Sequence, residues 1–387
     1  MSKWKMVRLG DVAEISSGGT PSRSVLEYWQ NGTIPWVKIG DIKEKYISRT
    51  GEMITELGLK NSSAKIIPKG ALLYTIFATL GEVGILNIDA TTNQAIAGIQ
   101  FSDIVNPNYA YYFLKSLKKS VEAIGRGVAQ NNINQYILKN ILIPLPPLDE
   151  QKRIADVLDK ASELIKKRKE QIRLMDELAK SLFIEMFGDP VENPMGWDIV
   201  NIEDMCSEIV DCPHSTPIHS DVPTNYPSIR TSELQHGYIN WASMKYVDEN
   251  EYLKRITRIK PEKNDIIYGR EGSYGDAVIL PDGYSFCLGQ RVMLLRRDKK
   301  KCHYIFLWAM LCSDYVYNQA KEKNVGATVG HVNVGDIKKF TILSPPLPLQ
   351  KEFADRIDAI EQQKALLQNG LAKMETAYKA LMQEYFG

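Results

Sequence analysis

The chain has 387 residues, too many for one ordinary core, so more than one domain is expected. Apolar residues make up 44% and charged residues 25%, as in a soluble folded chain, and no apolar run approaches the roughly 20 residues that span a bilayer. Net charge is only +1, so charge alone does not mark a nucleic-acid binder: residues 1–147 carry 16 Lys and Arg against 11 Asp and Glu, and residues 188–346 carry 18 against 21.

The opening Met1-Ser2-Lys3-Trp4-Lys5 lacks the apolar core of a secretory signal, which makes the cytoplasm the expected compartment. From there the chain reads as a repeat. Trp4, Val7, Leu9 and Asp11 return as Trp197, Val200, Ile202 and Asp204 at a constant offset of 193. Pro35-Trp36-Val37-Lys38 aligns with Pro227-Ser228-Ile229-Arg230. Ala71-Leu72-Leu73-Tyr74, followed by Gly81-Glu82, aligns with Asp265-Ile266-Ile267-Tyr268, followed by Gly275-Asp276. Short apolar runs (Ile66-Ile67, Ala71 to Phe77, Ile141 to Ile143, Val292 to Leu295) separated by Gly, Asn and Pro predict strands. Tyr109 to Leu117 and Tyr304 to Leu311 look like equivalent helices, so each globular part is expected to be mixed α/β. The last third matches best. Ile133-Asn134, Pro146-Pro147-Leu148 and Gln151-Lys152 are echoed by Val332-Asn333, Pro345-Pro346-Leu347 and Gln350-Lys351 at offset 199, a register that holds to Phe187-Gly188 and Phe386-Gly387.

A Pro-Pro pair cannot sit inside a helix, so each pair marks a boundary, and the segment after it is helical. Ile154, Leu158, Ala161, Ile165, Arg168, Ile172, Met175, Ala179, Leu182 and Met186 alternate spacings of four and three, with only Arg168 charged. The second copy runs Phe353, Ile357, Ile360, Lys364, Leu367, Leu371, Met374, Tyr378, Leu381 and Tyr385. These are heptad seams, which need a partner, and the other repeat's helix is the nearest one. A pair of core helices in a bundle is the alternative reading. At about 1.5 Å per residue each 40-residue segment is roughly 60 Å long. Gly188-Asp189-Pro190 supplies the stop after the first. The expected architecture is α/β: two tandem mixed α/β domains (1–147 and 188–346) related by pseudo-twofold symmetry, separated by two long helices (148–187 and 347–387) in an antiparallel coiled coil.

Chemistry is hard to find in this chain. The five cysteines are odd in number and form no Cys-x-x-Cys pair, which argues for reduced thiols. Cys212, His214 and His219 are a poor match to structural zinc spacing, so no metal is expected. No phosphate loop is present, and Gly269, Gly272 and Gly275 have the wrong spacing for a dinucleotide fold. Ser344-Pro345-Pro346-Leu347 has the prolines of an amino-methyltransferase loop without its aromatic. Glu271-Gly272-Ser273 lacks the lysine of a metal-dependent nuclease. Two similar domains, two long helices and no catalytic set describe a recognition scaffold.

Over essentially the whole length the pattern resembles the specificity subunits of type I restriction-modification systems. The similarity is carried by Ser16-Ser17-Gly18-Gly19-Thr20-Pro21, Tyr28-Trp29 and Gly32-x-Ile34-Pro35-Trp36-Val37. It continues in Gly127-x-x-Gln130-x-x-Ile133-Asn134, Ile143 to Leu148 with Glu150-Gln151, and Met186 to Pro190. The second copy departs from this, with Asp211-Cys212-Pro213-His214-Ser215-Thr216-Pro217 at its start and Leu349-Gln350 at its junction. The two domains are therefore expected to read different half-sites. The resemblance implies a non-catalytic, sequence-specific DNA-binding subunit. It would read a bipartite target on double-stranded DNA and bind two methyltransferase subunits and two motor-nuclease restriction subunits. S-adenosylmethionine, ATP and Mg²⁺ would belong to those partners, and this chain would need no cofactor. The competing readings are a structural coiled-coil adaptor and an enzyme, nuclease or methyltransferase, with an unrecognised motif.

Base reading needs paired hydrogen bonds: Arg or Lys to guanine, Asn or Gln to adenine. Phosphate contacts need only a cation, a hydroxyl or a backbone amide. The candidates are Thr20, Ser22, Arg23, Lys38, Arg126, Gln130 and Asn131 in the first domain. In the second they are His214, Ser215, Arg230, Arg270, Ser273, Tyr274, Arg291, Thr328 and His331. Gln94 and Gln290 occupy matching places but read equally as internal hydrogen-bond formers. The seam candidates are Ile154, Leu158, Ile165, Ile172 and Leu182 with Phe353, Ile357, Leu367, Leu371 and Leu381.

Overall fold

The computed structural model describes residues 4–118, 120–121, 133–235, 237–272, 274–323 and 330–387. The chain divides into two compact units, Met1–Glu170 with Asn369–Gly387, and Gln171–Gln368. Among the described residues no helix is long and apolar enough to cross a membrane.

The first unit is built on a five-stranded sheet in the order Ala13–Ser17, Ile96–Phe101, Leu72–Thr75, Val83–Leu86, Tyr46–Ile47, antiparallel except for the last pair. Strand Leu72–Thr75 is buried throughout because its two faces serve two cores. Leu72 and Tyr74 pack toward the helix Pro107–Ser116, while Leu73 packs with Val37, Ile47 and Leu86 on the opposite side. Hence this strand reads as a continuous apolar run rather than an alternation. The helix starts two residues ahead of its predicted position: Asn106 caps it, accepting from the backbone N–H groups of Asn108 and Tyr109, and Pro107 sits where its missing N–H costs nothing. Ile66-Ile67, predicted as a strand, makes only an isolated bridge from Ile67 to Ala90, since Pro68 cannot extend a ladder. A smaller sheet joins Glu52–Ile54, Ile34–Val37 and Thr91–Thr92.

The second unit repeats the plan. Its sheet runs Cys206–Asp211, Val292–Arg297, Ile266–Gly269, Ala277–Ile279, with a smaller sheet of Lys245–Tyr246, Pro227–Ile229 and Cys287–Leu288. Met293 and Leu295 face the helical core, and Val292 and Leu294 the other one.

Both long segments are single 40-residue helices, Leu148–Phe187 and Leu347–Phe386. In the first unit Tyr109 and Phe113 pack against Phe386 at 5.4 and 5.9 Å between ring centroids, and Lys169 Nζ lies 2.7 Å from Glu375. In the second unit Phe187 contacts Phe306 at 4.9 Å and Phe353 at 5.2 Å. Within each unit, then, the start of one helix lies beside the end of the other, which is antiparallel pairing. Of the seam residues, Ile154, Leu158, Leu182, Phe353 and Ile357 are buried, and Ile165, Ile172, Leu367, Leu371 and Leu381 are half-buried. The first helix ends at Gly188 (φ +78), whose N–H donates to Ile184 O at 2.9 Å, the left-handed cap that glycine favours.

Candidate nucleic-acid interface

In the first unit, strand Ala13–Ser17 runs into Gly18 and Gly19, and the backbone there is packed too tightly for any side chain. A Cβ on Gly18 would lie 2.1 Å from Asn93 O, and one on Gly19 would lie 2.4 Å from Ala64 N. Gly19 N–H donates to Thr92 O at 2.8 Å and its carbonyl accepts from Trp36 Nε1 at 3.0 Å. The loop is thereby fixed where it presents Thr20, Ser22 and Arg23. Thr20 Oγ1 donates to Gln94 Oε1, and the Ser22 and Ser24 hydroxyls meet at 2.8 Å.

The Arg23 guanidinium lies 3.7 Å over the Trp29 ring and 4.8 Å from that of Trp36, and donates from Nη1 to Glu52. Lys38 Nζ reaches the other oxygen of the same carboxylate at 2.7 Å. These hydrogen bonds, that of Arg23 first, hold the Glu52 carboxyl below its ordinary range, and the bond to Glu52 raises Lys38 above its own. About half of each cation's side chain, 53% for Arg23 and 44% for Lys38, stays exposed. Arg126, Gln130 and Asn131 lie outside the described residues.

The second unit carries the same frame with different side chains. Gln290 Nε2 donates to Thr216 Oγ1 at 2.9 Å, and both residues stand 196 positions after Gln94 and Thr20. Strand Pro227–Ile229 lies parallel to Cys287–Leu288 as Ile34–Val37 does to Thr91–Thr92. Lys38 N–H donates to Asp41 at 2.9 Å and Arg230 N–H to Glu233 at 2.8 Å, closing equivalent turns. The Arg230 guanidinium, however, is a fork on buried Glu233, at 3.1 and 2.6 Å. Arg270 is also withdrawn: its side chain is 7% exposed, with Nε 2.9 Å from Asp211 and Nη1 3.2 Å from Glu271.

Glu271 gathers two more groups, Arg291 Nε at 3.4 Å and His331 Nδ1 at 3.0 Å. Arg291 itself holds a left-handed backbone, φ +65. His214 is exposed, 3.5 Å from Asp211. Ser215 is held from beneath by Arg255, whose Nη2 donates to its carbonyl at 2.7 Å while Glu251 takes Nε at 2.9 Å. Tyr274 stacks on Tyr317 with centroids 5.7 Å apart. Ser273 and Thr328 lie outside the described residues.

The structure thus pairs Thr20 with Gln94, and gathers Arg23 and Lys38 on Glu52, in one unit. In the other it collects Arg270, Arg291 and His331 around Glu271. Sequence reading missed Glu52, Trp29, Thr216 and Arg255. Thr216 had a usable signal in its register with Thr20, next to Pro21 and Pro217, and Trp29 in the Tyr28-Trp29 pair that carries the resemblance. Forked cations, hydroxyls and amides on rigid loops are equipped for hydrogen-bond recognition. Among the described residues no group of three or more His, Cys, Asp or Glu is arranged to hold a metal.

The family model described as the type I restriction modification DNA specificity domain matches residues 1–174 and again 194–376. The MjaIX specificity subunit of Methanocaldococcus jannaschii is 27% identical over 373 residues, covering 90% of this chain and 85% of that one. The EcoKI specificity subunit of Escherichia coli is 21% identical, covering 99% and 88%. In fold the chain is similar to the crystal structure of a type I restriction-modification S subunit from M. genitalium, with a TM-score of 0.61, 15% identity and coverage of 100% and 96%. The chain belongs to the type I restriction-modification DNA specificity family, as a non-catalytic subunit that recognises DNA.

Proposed function

We propose that this chain reads a split DNA target, with residues 1–147 contacting one half-site and residues 188–346 the other, and that it positions methyltransferase and restriction subunits on that DNA. The observation that carries this reading is the frame common to both repeats. The Thr20–Gln94 and Thr216–Gln290 pairs and the Lys38 and Arg230 turns are equivalent, whereas the side chains around them differ in charge, reach and pairing. A shared scaffold with divergent readers is what two unlike half-sites require.

Thr20, Ser22, Arg23 and Lys38, with Arg126, Gln130 and Asn131, serve the first half-site. His214, Ser215, Arg291 and His331, with Ser273, Tyr274 and Thr328, serve the second, and Arg230 and Arg270 act there through the carboxylates they hold. The long helices fix the number of unread base pairs and offer their outer faces to two methyltransferase subunits, which two motor-nuclease subunits then join. S-adenosylmethionine, ATP and Mg²⁺ are used by those subunits, in the cytoplasm.

The test is methylation mapping by long-read sequencing in a host carrying the chain and its partner methyltransferase, with and without residues 188–346 exchanged. A split adenine-methylated motif in which the exchange alters one half alone is expected. A motif that changes in both halves, or no motif, overturns the two-reader assignment and favours a structural adaptor.

A further inference from the structure

Arg23 differs from the other described candidate cations in how it is held. A guanidinium has five N–H donors, and among the described residues that of Arg23 hydrogen-bonds Glu52, through Nη1. Its plane is set by stacking on Trp29, whose Nε1 donates to Ser22 O at 3.1 Å and whose ring meets Trp36 edge-on at 5.0 Å. Among the described residues nothing bonds the Nε and Nη2 donors, and 53% of the side chain is exposed. A guanidinium fork fits a phosphate as well as a base edge, but the Glu52 carboxylate between the two cations repels an anion at this place. A guanine edge, by contrast, offers two acceptors, O6 and N7, side by side, and its cytosine partner offers an N4–H₂ donor that a nearby carboxylate accepts.

From this geometry we propose that Arg23 reads the guanine of a G·C pair in the half-site of residues 1–147, with Glu52 as the positioning residue that aims it and rejects other pairs. The inference rests on the two-reader function proposed above. It commits to one base, which the composition of the loop does not.

Methylation mapping of the full chain with its partner subunits tests it, comparing wild type, Arg23→Lys and Glu52→Gln. Exchange of residues 1–147 in a parallel strain assigns the half-site. Arg23→Lys keeps the charge and loses the planar fork; Glu52→Gln keeps the shape and loses the carboxylate. In both, one guanine of the assigned half-site is expected to lose its preference by roughly tenfold or more, with every other position of both half-sites unchanged. Binding of the purified complex to four duplexes differing at that position gives the same ratio where methylation is weak. An unaltered motif with methylation retained or lowered, or, where methylation is lost, an unchanged preference among the four duplexes, overturns the proposal and makes Arg23 a phosphate or structural residue. An assigned half-site without a guanine overturns it equally. A wild type that yields no split motif removes the two-reader function itself, a result distinct from either.

Discussion

Two buried amides hold equivalent backbone groups in the two repeats. Gln151 accepts from Asn106 N–H at 2.8 Å and donates to Ile104 O and Pro146 O at 3.0 and 2.9 Å. Gln350 accepts from His303 N–H at 2.8 Å and donates to Lys301 O and Pro345 O at 3.3 and 2.8 Å. Each amide ties the start of a domain helix to the Pro-Pro turn that launches a long helix, so neither residue is replaceable by an apolar one without orphaning buried backbone groups. The capping residue is what changed after duplication. Asn106 caps one helix without titrating, whereas burial lowers the His303 imidazole from 6.5 to about 4, and its Nδ1 accepts from Ile305 N–H at 3.4 Å.

Because the folded-state value lies below the unfolded one, protonation favours unfolding. The contribution is complete above about pH 7 and is lost as pH falls from 6.5 towards 4. The shift bounds the loss near 3 kcal/mol, and solvent around a half-buried ring reduces it to about 1–2 kcal/mol. Urea denaturation at pH 7.5 and 5.0 should therefore show His303→Asn losing less stability on acidification than wild type. Equal losses would mean that His303 titrates normally. The repeat register pointed to Gln151 and Gln350 as a matched pair, but nothing in the sequence said that each would reach back to a backbone N–H and a carbonyl 45 to 49 residues upstream. That information resides in how the domain folds back on its own helix.

At the scale of elements, the heptad pattern alone revealed both long helices, and the double prolines gave their starts. Strand identities were legible where a run faced two cores, as at Leu72–Thr75, and illegible where pairing shrank to a bridge, as at Ile67. The polar seam position is the informative exception. Lys364 is a side chain only 5% exposed, paired with Asp176 of the facing helix, donating to Tyr238 Oη at 2.8 Å and lying 4.3 Å from the Tyr238 ring centroid. A buried cation at a seam fixes register at some expense of stability.

The two ways of breaking this pair are not equivalent. Lys364→Met fills the space with apolar atoms and leaves Asp176, 47% exposed, to water, while Tyr238 Oη keeps its bond to Glu361 at 2.8 Å. It should be neutral or stabilising by about 1 kcal/mol. Asp176→Ala strands the buried ammonium and should cost about 2–4 kcal/mol. Thermal denaturation of both variants checks the order, and a Lys364→Met variant less stable than Asp176→Ala would show that the ammonium stabilises beyond its carboxylate.

For the molecule as a whole, internal repetition exposed the duplication and the paired domains, whereas the division of each long helix between the two units came only from the structure. The choice of reading residues was far less legible, because Glu52 becomes a partner of Arg23 only once separate segments converge, and the local turn that brings Trp29 back under the guanidinium has no sequence signature. Each long helix contributes residues to both units. If their length sets the number of unread base pairs, lengthening both by one heptad should change that number and nothing else. Duplicating residues 164–170 and 362–368 keeps both seams in phase. Seven residues add about 10 Å of helix, equivalent to about three base pairs of duplex at roughly 3.4 Å each. Methylation mapping should then return both half-sites letter for letter, with about three more unspecified positions between them. An unchanged gap would mean that contacts outside the helices set the spacing, and altered half-sites would mean that the helices also shape the readers.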